Sequence, residues 1–253
     1  MDKLNWLLLR GLAREVRHWG DFSEALSAQS FCRHIVALDL PGIGTEKNKG
    51  APLSITSNCD DIRERWLRVK VSHPGPWGII GVSLGGMIGL EWISRFPEDF
   101  KVGVLVNASA RNVSPVFHRI KPKYLCSSLK AFLKSDPEKR ELEFLKITSN
   151  LKFDNVDAQK MWIEIAKDNP IKISTMLGQL MAAARFKAPK KNTVPLLFIS
   201  SKADRMVDCR ASQKLSEIYG ARLRLHDSAG HDLTLDDQQW VLAQISEFVD
   251  KPS

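Results

Sequence analysis

No apolar run in this chain approaches the length of a membrane span. The stretch "LNWLLLRGL" at residues 4–12 meets Arg10 early and reads as a core strand. No signal-peptide pattern precedes it, so a cytoplasmic protein is expected. Cysteine is scarce: Cys32, Cys59, Cys126 and Cys209 lie far apart and never form CxxC. That spacing argues against a disulfide framework and a cysteine metal site, leaving free thiols in a reducing compartment and no metal. Repeats and low-complexity linkers are also lacking, so the 253 residues are expected to form a single domain. The sequons at Asn107 and Asn112 read as chance matches in an unglycosylated chain.

The content is that of an ordinary soluble globular protein, 43% hydrophobic and 26% charged. The net charge is +8, with lysines and arginines scattered apart from small clusters at 121–123 and 187–191. No aromatics interleave with them, so a solvated surface is expected and a nucleic-acid partner is not. The excess charge suits anionic substrates or partners.

Short apolar runs alternate with helical patterns. "NWLLL" (5–9), "HIVALDL" (34–40), "WGIIGV" (77–82), "VGVLVNA" (102–108), "PLLFIS" (195–200) and "RLRLH" (222–226) read as strands. Most are apolar on both faces, as in a parallel sheet covered on both sides. Helices are expected around Trp19, Phe22 and Leu26, around Ile62, Trp66 and Val69, from Ser83 to "RFP", near 211–218 and over 237–249. This alternation predicts an α/β fold with a mostly parallel, doubly wound sheet of about six strands. It breaks at about 110–191, which reads as a helical cap inserted into a core of residues 1–109 and 192–253. Within the cap, Ser135 is the expected cap of one helix. Asn169, followed by Pro170, is the expected cap of another, in which Ile173, Met176, Leu177, Leu180 and Met181 repeat at helical spacing.

Between the third strand and its helix stands G-V-S-L-G, residues 81–85. A strand that becomes a helix within one residue forces that residue into sparsely populated backbone angles and needs small neighbours. Such an elbow lifts the Ser83 hydroxyl above the strand end and aims the helix N-terminus at the same spot. A serine hydroxyl needs a base to act as a nucleophile. Of six histidines, His34 and His226 sit at strands, His73 precedes a proline and His118 lies in the cap. His231, in "DSAGHDL" after the last strand, is placed to lean over the sheet toward Ser83. The strand at 195–200 delivers Asp204 and then Asp208. Asp204 falls where the strand ends and is the expected partner of His231, whereas Asp208 reads as a helix cap.

The motifs "LLLRGLAREVRHWGDF", "LDLPGIG", "GVSLGG", "SSKADRMV" and "AGHDL" occur in the order seen in α/β-hydrolases. Over nearly its whole length the chain resembles that superfamily, in its small bacterial esterase-like form. The family's first hairpin is expected to be absent, since the chain starts at the strand before the oxyanion loop. Arg10-Gly11 stands where the family has His-Gly, and Pro41-Gly42-Ile43-Gly44 where it has Pro-Gly-His-Gly. By resemblance the oxyanion donors are the amides of Leu12 and Leu84. Arg10 is then expected to tie its loop to a neighbouring loop, or else to face the site mouth and draw an acidic substrate group.

The activity implied is hydrolysis of a small or medium carboxylic ester through Ser83, His231 and Asp204, without cofactor or metal. Thioester or carbon–carbon bond hydrolysis on the same triad, or non-catalytic binding of a ligand or partner, are the alternatives. Phe117, Met161, Trp162, Met176, Leu180 and Met181 are candidate pocket walls, or else the cap's own core. The expected partner is a small ester-type molecule, and the protein itself is expected to be a monomer or homodimer.

Overall fold

A computed structural model describes residues 3–132, 134 and 136–251. Six strands, β1 (Leu4–Leu9), β2 (Cys32–Ala37), β3 (Trp77–Val82), β4 (Val102–Val106), β5 (Leu196–Ser201) and β6 (Arg222–His226), form one sheet in the order β2-β1-β3-β4-β5-β6. All five pairings are parallel. Central strands β1, β3, β4 and β5 are buried along their whole length, as their uninterrupted apolar runs require.

Alternate strand residues face two different cores. Leu7, Leu9, Ile79, Leu105 and Phe198 pack with α2 (Ile55–Ser72), α3 (Leu84–Arg95) and α9 (Arg210–Tyr219). Trp6, Leu8, Ile80, Val104 and Ile199 pack with α1 (Asp21–Ser27) and α11 (Gln238–Asp250). The expected doubly wound sheet is therefore present. The limits of β3 and β6 are as expected, and those of the other four strands move by one to three residues. The largest shift is in β2, which ends at Ala37 because Asp39 turns its carboxylate to the N–H groups of Val16 and Thr45.

Between β4 and β5 lie α4 (Val116–Arg119), α5 (Pro122–Phe132), α6 (Pro137–Thr148), α7 (Val156–Asp168) and α8 (Ile173–Arg185). Ser135 lies outside the described residues. Asp136 caps α6, accepting from the N–H groups of Glu138 and Lys139. Asn169 does not cap α8; it ends α7 instead. The following proline disfavours helical angles at Asn169. Its side chain is occupied elsewhere, donating to Glu15 at 2.7 Å and accepting from Lys47 at 2.7 Å. Helix α8 then starts at Ile173, after Lys172. Among the described residues no helix is long and apolar enough to cross a membrane.

Candidate active site

The elbow has the backbone its sequence demands. Ser83 sits at φ 55°, ψ −111°, outside the regions open to most L-residues. Its N–H donates to the carbonyl of Val106 at 2.7 Å, and its carbonyl accepts from Met87, so α3 begins at once. A Cβ at Gly81 would stand 2.3 Å from the Gly85 carbonyl oxygen. A Cβ at Gly85 would stand 2.2 Å from that of Leu9. Both positions therefore need glycine. Gly11 backs the elbow, its Cβ position lying 3.3 Å from the Ser83 Cβ.

Asp204, fully buried beyond β5, faces His231: its Oδ2 lies 2.7 Å from His231 Nδ1. Its Oδ1 accepts from the N–H groups of Met206 (2.7 Å) and Val207 (3.0 Å), which fix the carboxylate's orientation. Asp208 points elsewhere. It accepts from the Arg210 N–H and pairs with that guanidinium, which with the hydrogen bond holds its pKa down at about 2. Asp208 thus lies two residues before α9, accepting from the N–H of its first residue, and Asp204 is the carboxylate brought to the histidine.

Burial by itself would lower the His231 pKa. The charge and hydrogen bond of Asp204, with Asp232 behind them, outweigh burial and raise it above the ordinary value. His226 ends β6 and serves the turn that follows. Its Nδ1 accepts from the N–H groups of Ser228 and Ala229, shaping the turn toward His231, and its Nε2 faces Asp237 at 3.2 Å.

One site residue escaped the sequence reading. Asn107, fully buried at φ 51°, donates from Nδ2 to the carbonyl of His231 at 2.7 Å and accepts at Oδ1 from Ser200 at 2.8 Å. Its neighbour Val106 receives the Ser83 N–H. The end of β4 therefore holds the serine and histidine segments side by side. Among the described residues the Ser83 hydroxyl makes no hydrogen bond to His231 or any other group. The available signal was an asparagine directly after an apolar strand, a residue tolerant of left-handed angles.

Leu84 is the first residue of α3, and Leu12 lies in the turn behind Gly11. Neither N–H has an acceptor among the described residues. The next amide, of Ala13 (φ 59°), is taken by Gln179 Oε1 at 2.8 Å, so α8 braces this loop. Arg10 is buried. Its guanidinium makes a two-pronged pair with Asp232, donates to Thr234 Oγ1 at 3.0 Å and lies over the Trp19 ring. It thereby ties the turn before Leu12 to the residue after His231, the loop-to-loop role rather than the mouth-facing one.

Breaking a buried pair by removing one partner costs about 3–5 kcal/mol. Arg10→Ala should accordingly lower the thermal midpoint by several degrees, and a thermal melt indistinguishable from that of the wild type would contradict it.

The candidate pocket residues do not form one wall. Trp162 packs with Leu145 and Ala158 where the cap meets the loop after β1, its ring edge-on to His18 and under the Arg14 guanidinium. The ring is 1% exposed and has no open face. Met176 is buried and Leu180 partly buried on α8; Phe117 is half-exposed on α4. Met181 faces solvent, and Met161 lies beside Gly20. A groove of about 630 Å³ between the turn after β1, α7 and the start of α11 includes Met161 but neither Ser83 nor His231.

A family described as serine aminopeptidase, S33 matches residues 3–238. The biotin biosynthesis bifunctional protein BioHC of Teredinibacter turnerae is 24% identical over 266 aligned positions, which cover 96% of this chain and 44% of that protein. The alpha/beta hydrolase domain-containing protein VTE7 of Arabidopsis thaliana is 25% identical over 228 positions, covering 86% of this chain and 66% of that protein. The chain thus spans less than two thirds of either relative. Among solved structures, the enol-lactonase of Burkholderia xenovorans LB400 superposes with a TM-score of 0.79 at 18% identity, covering 99% of this chain and 93% of the other.

Proposed function

The chain belongs to the serine aminopeptidase S33 family of α/β-hydrolases, and on that premise we propose that it hydrolyses a small or medium carboxylic ester through an acyl-enzyme on Ser83. The observation carrying this reading is the 2.7 Å Asp204–His231 contact, held beside the strained Ser83 elbow by the end of β4. In the proposed cycle the Ser83 Oγ attacks the ester carbonyl while His231 Nε2 takes its proton. Asp204 keeps the imidazole in the tautomer with Nδ1 protonated and stabilises the imidazolium. The amides of Leu12 and Leu84 receive the oxyanion, each worth roughly 3–4 kcal/mol in comparable sites. His231 returns the proton to the departing alkoxide, then activates water to release the acid and regenerate Ser83.

An ester suits the surroundings better than the free amino terminus an aminopeptidase must hold. That amine needs an unpaired carboxylate, and the buried acids beside the oxyanion loop, Asp232 and Glu141, are already paired with Arg10 and Arg14. A fluorophosphonate probe should label the protein once, at Ser83, and a panel of p-nitrophenyl esters of increasing acyl length should then rank its substrates. Absence of labelling in folded protein would rule the proposal out.

A further inference from the structure

The net positive charge has a definite location. Residues 100–135 contain seven lysines and arginines and no acid; residues 169–203 contain six and no acid. The rest of the chain holds 24 basic against 29 acidic residues, so these two segments account for the whole excess. Far apart in the chain, parts of the two segments meet in the fold, residues 111–119 lying against residues 183–188. The Arg111 N–H donates to the Phe186 carbonyl at 2.8 Å, and Asn112 exchanges hydrogen bonds with the backbone of Ala188. Arg119 donates to the carbonyls of Ala183 and Ala184 at the end of α8.

On this joined face α8 is inside out. Its buried side consists of Thr175, Met176, Gly178, Gln179 and Ala182. Its apolar stripe, Ile173, Leu177 and Met181, spaced four residues apart, stands 62%, 56% and 43% exposed. Val116 and Phe117 on α4, the helix bonded to the end of α8, are 71% and 55% exposed. Lys172, Arg185, Lys187, Lys190 and Lys191 are exposed and enter no ion pair among the described residues. A soluble helix ordinarily buries such a stripe.

We propose that α8, with α4, is a docking surface for an anionic lipid bilayer. The protruding stripe enters the boundary between headgroups and acyl chains, and the unpaired cations engage anionic headgroups. Charge complementarity selects this occupant: a second copy would set the same two acid-free segments against their own copies. This inference does not depend on the catalytic reading.

The test uses the whole protein and sedimentation with vesicles of phosphatidylcholine, with and without about 30% phosphatidylserine. The wild type should bind the anionic vesicles at least about tenfold more tightly than the neutral ones, and lose this preference at about 1 M salt. The triple variants I173Q/L177Q/M181Q and K187E/K190E/K191E should each lose that binding. Both should keep the wild-type melting temperature and turnover of a water-soluble ester, so that misfolding and failure of the ester assignment are read separately. Equal binding to both vesicle types would overturn the proposal. So would undiminished binding by the glutamine variant, or a stable dimer or an acidic protein covering α8 while vesicles are ignored.

Discussion

Ser83→Ala is expected to lower turnover of p-nitrophenyl esters by about 10⁴- to 10⁶-fold, the range seen when a serine nucleophile is removed from such a triad. Stability should change by less than about 1 kcal/mol, for three reasons. The hydroxyl has no hydrogen bond to lose among the described residues. The side chain is only partly buried. The strain at φ 55° is borne by the backbone bonds to Val106 and Met87, which alanine retains. What the variant lacks is the single atom that forms the acyl bond. Steady-state kinetics alongside a thermal melt separate the two effects, and residual hydrolysis within tenfold of wild type would sink the mechanism.

Asp204→Asn should follow closely, with a loss of about 10⁴-fold in kcat, while Asp208→Asn changes kcat only slightly. The reason lies in the two carboxylates' partners. Asp204 Oδ2 faces His231 Nδ1 and in the proposed cycle stabilises the charge that appears when the imidazole takes the serine proton. Asp208 is spent on Arg210 and the first turn of α9. The pH profile adds a second readout. His231 must be neutral to act as base, so activity falls as pH drops through its pKa, which Asp204 holds above the ordinary value against the effect of burial. In Asp204→Asn the attraction is gone and burial remains. The acidic limb should therefore move to lower pH even as the plateau falls. An unmoved limb, or a larger kcat loss in Asp208→Asn, would assign the orienting role elsewhere.

Several of these features were legible in the sequence. Trp77–Val82 and Arg222–His226 match β3 and β6 residue for residue. Uninterrupted apolar runs separated by helical patterns leave a parallel, covered sheet as their main solution. Part of the elbow was legible because its constraint is local: a Cβ at Gly81 would strike the Gly85 carbonyl four residues on, whereas one at Gly85 would strike that of Leu9 in β1. Distances along the chain also carried information. The separation of 27 positions from Asp204 to His231 suffices for one helix, one strand and a loop, and α9 and β6 lie within it.

What the sequence determined by itself is the order and type of the elements and the strained serine between two of them, because backbone sterics and hydrophobic periodicity act over a few residues. Only the tertiary structure decided which groups those elements bring together. Arg10 meets Asp232 across 222 residues, and Asn107 reaches the His231 carbonyl across 124. Trp162 meets His18 and Arg14 of the loop after β1, and α8 hides Gln179 while exposing Leu177. A buried arginine, asparagine or glutamine is tolerated only where partners satisfy it, and those partners come from remote segments. Local pattern carries no record of them; the packing of the folded chain does.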